Sequence, residues 1–113
     1  MKKILFYLFI TATSMTFAAD KSVKCEISST GQKYKGDCTF KPQNGGTFTL
    51  TNTILGKSIG STDINSVTVF ISGKDVAQVS GEMGGAISRW GEAKRSQKEK
   101  ACWIGDDFRV CAW

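Results

Sequence analysis

Apolar and polar positions alternate with a period of two along most of this chain, the mark of strands with one dry face and one wet face. Val23, Cys25 and Ile27 alternate with polar neighbours, and so do Tyr34, Gly36, Cys38 and Phe40. In GGTFTLTN, residues 45–52, Phe48 and Leu50 alternate with threonines. INSVTVFIS, residues 64–72, puts Val67, Val69 and Ile71 on one face, and Gly73-Lys74 predicts a tight turn into DVAQVSG, residues 75–81. The ending CWIGDDFRVC folds about Asp106-Asp107, which sets Cys102 opposite Cys111, Trp103 opposite Val110 and Ile104 opposite Arg109.

Two segments break the period. ILGKSIGSTD, residues 54–63, carries two glycines and reads as a loop, and GEMGGAIS, residues 81–88, carries three and reads as a mobile loop. RWGEAKRSQKEKA, residues 89–101, is rich in helix-favouring Ala, Glu, Gln, Lys and Arg, so it predicts one or two helical turns after Gly91, packed on the sheet by Trp90. The expected fold is mainly β: a small, disulfide-stapled antiparallel barrel or sandwich of about seven strands, with one short helix near the C-terminus.

The front of the chain changes the picture of where this domain works. Lys2 and Lys3 precede an unbroken apolar run, Ile4 to Ile10, and Thr16 and Ala18 supply small residues at −3 and −1 of a cleavage point. That is the form of a secretory signal peptide over residues 1–18, leaving 19–113 as a single β-rich domain. The apolar run is far shorter than the ~20 residues of a spanning helix. Lys24 before Cys25 argues against a lipidated cysteine. Cleavage removes two lysines and no acid, so the net charge falls from +5 to +3. Such a domain is not the strongly basic footprint of a nucleic-acid binder. The expected location is periplasmic or secreted.

Four cysteines in an exported domain point to disulfides, and they allow three pairings. Folding residues 23–40 about Gly31-Gln32 sets Cys25 opposite Cys38, and cross-strand partners lie ~4.5–5.5 Å apart at Cβ. Geometry therefore favours 25–38 and 102–111. Zinc fits poorly, because there is no C-x-x-C pair and no histidine. The missing histidine also removes Ser-His-Asp and Cys-His nucleophile systems. A carboxylate pair of the glycosidase kind would remain, but Asp106 and Asp107 are explained as turn residues and Asp63, Asp75 and Glu82 stand alone. No catalytic residue, metal or cofactor is expected.

Binding is the expectation instead. Residues 89–100 carry Arg89, Lys94, Arg95, Lys98 and Lys100 against Glu92 and Glu99, a local +3 beside Trp90 and Trp103. Basic groups next to aromatics suit sugars, lipid phosphates or an acidic protein surface. As a solvated helix face, the same run would pair Arg95 with Glu99 at i, i+4. Asp106 and Asp107 offer an acidic tip to a basic partner, and Trp113 is terminal, where chains fray unless tied down. A terminal aromatic also ends outer-membrane barrels, but those need at least eight strands of ~9–11 residues plus turns, and the last strand carries Arg109 and Asp107. The leading expectation is a protein partner in the envelope or outside it, as for an inhibitor, immunity protein or adaptor. The runner-up is an anionic envelope polymer or lipid held by residues 89–100.

The ending SRWGEAKRSQKEKACWIGDDFRVCAW, residues 88–113, with Cys25, Cys38 and GGTF at 45–48, resembles a group of small, secreted, uncharacterised proteobacterial proteins. Their endings share R-W, a short basic stretch, A-C-W and a final C-A-W-like segment. The resemblance implies secretion and two disulfides, and no activity.

Overall fold

The first hairpin shows how local sequence sets the architecture. Strand β1 (Lys21–Ser29) buries Val23, Cys25 and Ile27 while Lys24 stays exposed between them. Thr30 and Gly31, both at positive φ, make the two-residue turn that matches strand twist. Strand β2 (Gln32–Pro42) returns beside β1 with Ser29 opposite Gln32. The chain then continues as β3 (Phe48–Thr51), β4 (Ser66–Gly73), β5 (Val76–Met83), β6 (Ala86–Arg95), β7 (Cys102–Ile104) and β8 (Phe108–Ala112). This computed structural model describes residues 19–113 apart from Leu55; the signal peptide read over residues 1–18 lies outside the described residues.

All pairings are antiparallel between successive strands, and β8 returns to β1 with Ile27 opposite Val110. The result is a closed eight-stranded meander barrel rather than a sandwich, with β1 and β8 paired to each other instead of standing as edges. Eight strands enclose a space just wide enough for side chains to fill. Here Ile27, Leu50, Val67, Val69, Val79 and Val110 fill it, each at most 2% exposed. Full burial of such a side chain contributes about 1.5–3 kcal/mol. The turns at Thr30–Gly31, 52–65, Gly84–Gly85 and 105–107 share one end, here called upper. The segments 43–47, Lys74–Asp75 and 96–101 share the lower end with both ends of the described chain.

The long upper loop acts as a plug. Ile59 and Ile64 are each 1% exposed and join the interior cluster. Their backbones are tied, with Ile59 N–H donating to Ile64 O at 2.7 Å and the buried Thr62 hydroxyl donating to Ile59 O at 2.6 Å.

Three expectations need correction. The barrel has eight strands, not about seven. Residues 89–101 form no helix: their first part is β6, paired with β5 from Val76↔Lys94 to Met83↔Ala86, and their second part is a turn. Helix propensity is a weak prior, and this run has no apolar helical face to bury, whereas strand pairing buries Ala93 completely. The Ser96 hydroxyl accepts the N–H groups of Lys98 and Glu99, holding the turn, and Arg95 pairs with the Lys100 carbonyl rather than with Glu99. Nor is 81–88 a loop. Gly84-Gly85, at φ 59° and 88°, is a two-residue turn joining β5 to β6.

Both disulfides form as the alternation indicated, 25–38 and 102–111. The first sits one step diagonally from the expected register. Val23, not Cys25, faces Cys38, because the turn is centred on Thr30-Gly31. A two-residue shift keeps the same face inward, so the bridge still closes, with Cα atoms 5.8 Å apart. Cys102 lies directly opposite Cys111, as expected.

Replacing either cysteine pair by alanines should lower stability by about 2–3 kcal/mol, a fall of ~10–20 °C in Tm for a domain of this size. Calorimetry checks the magnitude. Thiol titration of unfolded Cys25→Ala/Cys38→Ala protein checks the pairing, and it should find no free thiol.

A candidate binding groove beside Trp90

The barrel wall is thinnest between β6 and β7. Those strands pair at only two positions, Lys94↔Ile104 and Arg95↔Trp103. Above them, β6 from Ala86 to Ala93 has no strand on that side among the described residues. Side chains fill this gap. Val79 faces Gly91 and Ser80 faces Arg89, so Trp90 is an extra residue, a bulge that re-aims its side chain. Gly91 follows at φ 118°, a conformation that other residues rarely adopt. The indole then lies against Gly81, where a Cβ would come within 2.6 Å of Trp90 Cζ2. On its other side, the ring of Phe108 sits 5.7 Å from the indole, tilted at 57°.

Over this aromatic floor runs a groove of about 480 Å³. Ile104 lines it and is 39% exposed. Glu92 and Asp106 bring negative charge, and Lys94 and Arg95 bring positive charge. The three ion pairs among the described residues are Lys24–Asp37 at 2.7 Å, Lys41–Asp20 at 2.8 Å and Arg109–Glu26 at 3.7 Å. None involves a groove residue. The Asp37 carboxylate, hydrogen-bonded to Lys24, raises that lysine above its ordinary pKa.

Of the residues singled out from sequence, Trp90, Lys94, Arg95 and Asp106 meet in this groove. Arg89 and Asp107 sit at the upper rim, in a smaller recess shared with Trp90, Ser29 and Met83. Gly105 N–H donates to Phe108 O at 2.9 Å, which places Asp106-Asp107 at the hairpin tip as expected. Lys98 is exposed in the lower turn, apart from the groove. Trp113 is elsewhere too. Its N–H donates to Lys24 O at 2.9 Å, which ties down the terminus, and its ring stays 47% exposed beside Lys35 and Gly36. The basic run is therefore split by the strand period rather than gathered on one helix face.

Sequence reasoning missed Glu92, Ile104 and Phe108 as members of this surface. The outward position of Ile104 was readable from the hairpin register. The meeting of Phe108 with Trp90 was not, because it depends on closure between β6 and the last hairpin.

Among the described residues, no three His, Cys, Asp or Glu side chains are placed to hold a metal ion, and no helix is long and apolar enough to cross a membrane. No protein-family model, curated protein or solved structure matches this chain.

Any side chain at position 81 must displace Trp90. Gly81→Val should lower stability by about 1–3 kcal/mol and weaken the near-ultraviolet circular dichroism, whereas Gly73→Ala, in open space and without a positive φ, should leave that spectrum unchanged.

Proposed function

We propose that this is a small, non-enzymatic binding protein of the periplasm or the extracellular medium, which engages another protein through the groove beside Trp90. The observation that carries this reading is the uncovered stretch of β6, with an aromatic floor and uncompensated charges of both signs. Interface energy concentrates where aromatic anchors are ringed by polar groups, and the barrel presents that arrangement on a rigid frame. A closed, twice-bridged barrel orders little further on binding, so less interaction free energy is lost. An inhibitor, an immunity protein or an adaptor would each use such a surface.

Supporting the location are the signal-like front of the chain and the two disulfides, which suit an oxidising compartment. The outer wall suits water rather than lipid. Lys24, Lys33, Lys35 and Asp37 point outward on the first hairpin, where a lipid-facing barrel carries an apolar band.

A second reading is a binder of anionic polymer or lipid through residues 89–100. It has one observation in its favour: Arg89, Lys94, Arg95 and Lys98 pair with no carboxylate among the described residues. Salt separates the two readings, since polyanion complexes weaken steeply as salt rises.

Immobilised oxidised protein, exposed to an envelope extract and washed at high salt, should retain a discrete protein. Ile104→Asp, at an exposed groove position, should lose that protein while keeping the parent Tm. Equal retention by this variant would move the partner off the groove. Recovery of polyanions alone, all released by salt, would favour the second reading.

A further inference from the structure

The lower mouth of the barrel holds a second recess, which shares only Arg95 with the groove. Its volume is about 400 Å³, within the ~300–1,000 Å³ range of small-molecule sites. Phe40, Phe48, Ile71 and Trp103 supply its apolar wall, with the rings of Phe40 and Phe48 stacked 4.9 Å apart. Lys74, Arg95 and Lys100 supply positive charge against the single acid Asp75. The recess is blind. Phe48 and Trp103 are 7% and 4% exposed, Val69 lies level with Phe48, and Leu50 and Val67 occupy the barrel beyond.

Arg95 is held from several sides. Its backbone N–H donates to Asp75 O at 3.0 Å, its Nε donates to Lys100 O at 2.9 Å, and its guanidinium carbon lies 5.3 Å from the centre of the Trp103 ring. No carboxylate pairs with Arg95, Lys74 or Lys100 among the described residues. A guanidinium fixed through Nε and stacked on an indole keeps its two terminal nitrogens for a ligand, and that parallel pair matches two oxygens of a carboxylate or phosphate.

We propose that this mouth binds a small amphiphilic anion. The head, a carboxylate or phosphate, sits on Arg95 with Lys74 and Lys100 adding charge, and a short alkyl or aromatic tail lies on Phe40, Phe48 and Ile71. The filled interior limits the tail: it packs across the mouth and does not thread the barrel. A polymer has no such apolar end, so the ligand differs from that of either partner reading, although Arg95 lines the groove as well and Arg95 and Lys100 belong to the basic run.

The test uses the oxidised protein with four probes: octanoate, octyl phosphate, octanol and inorganic phosphate. Binding is read by calorimetry and by the NMR signals of the Trp103 indole N–H and the Arg95 Nε–H. Octanoate or octyl phosphate should bind and shift both signals, and the tighter of the two identifies the head. Octanol, without charge, and phosphate, without a tail, should each bind about tenfold more weakly or worse. Arg95→Gln should weaken the best probe by at least about tenfold. Because that change could also loosen Trp103, the exposed pair Lys74→Gln/Lys100→Gln provides a second variant. It should weaken binding several-fold with Tm unchanged. Ile104→Asp should bind as the parent does, which separates this site from the groove. Equal binding of all four probes would overturn the proposal. So would unchanged affinity in both charge variants, or shifts confined to residues outside the mouth.

Discussion

Closure of this barrel depends on the contact of Trp90 with Gly81 and Phe108. An eight-stranded meander must join its last hairpin to β6, yet β7 is three residues long and gives only two paired positions. Backbone hydrogen bonding alone would leave most of that side of β6 facing solvent. The bulge at Trp90 turns a large aromatic toward the gap, Gly81 provides the space for it, and Phe108 meets it from the opposite hairpin. Phe108 is seated in the same way, since a Cβ at Gly105 would lie 2.1 Å from its ring. Two glycines and two aromatics thus replace the missing rungs. The Cys102–Cys111 bridge adds to this by holding β7 and β8 together as one unit, so that the short strand presents its two rungs in register.

Much of this was legible along the chain, and the reason is the strand period. Alternation placed Val23, Cys25 and Ile27 inside, and it placed Phe48, Leu50, Val67 and Val69 inside too. It also gave both disulfides, because a hairpin fixes which cysteines share a face even when the register is off by two. The failures occurred where local composition and tertiary pairing disagree. Residues 92–95, which follow Gly91, are good helix formers, but only Ala93 is fully buried there, and β5 offers a partner strand. Residues 81–88 read as a mobile loop because glycine is read as a breaker. Here Gly84-Gly85 makes a tight turn and Gly81 receives an indole, so each of these glycines has a defined structural place.

The candidate site was legible only in part, for a related reason. Counted along the sequence, residues 89–100 make one basic stretch. Read as a strand followed by a turn, it distributes its charges over different surfaces. Arg89 goes to the upper rim, Lys94 to the outer groove, Arg95 to both the groove and the lower mouth, and Lys98 to an exposed turn. Charge counting alone had no means of separating them. The groove also needs Ile104 and Phe108, which come from the last hairpin and meet β6 only when the barrel closes.

A filled interior then determines where binding can occur. Barrels of this strand number hold a ligand inside only when their core side chains leave room. Here Leu50, Val67, Val69 and Val79 take that space, and Ile59 and Ile64 cap it from the upper loop. Space for a ligand therefore remains only where the wall is incomplete, and both proposed surfaces lie there: the side left open by the short β7 and the lower mouth. Arg95 is the last residue of β6, paired with Trp103, and it lines both surfaces. Its guanidinium is anchored by the turn that ends β6 and by the indole that floors the mouth. A cation restrained in this way loses little further freedom on meeting an anion, while the exposed lysines around it, on flexible four-carbon stems, contribute charge without fixed geometry. The short β7 that makes closure depend on Trp90 thus also leaves both of these surfaces open to a partner.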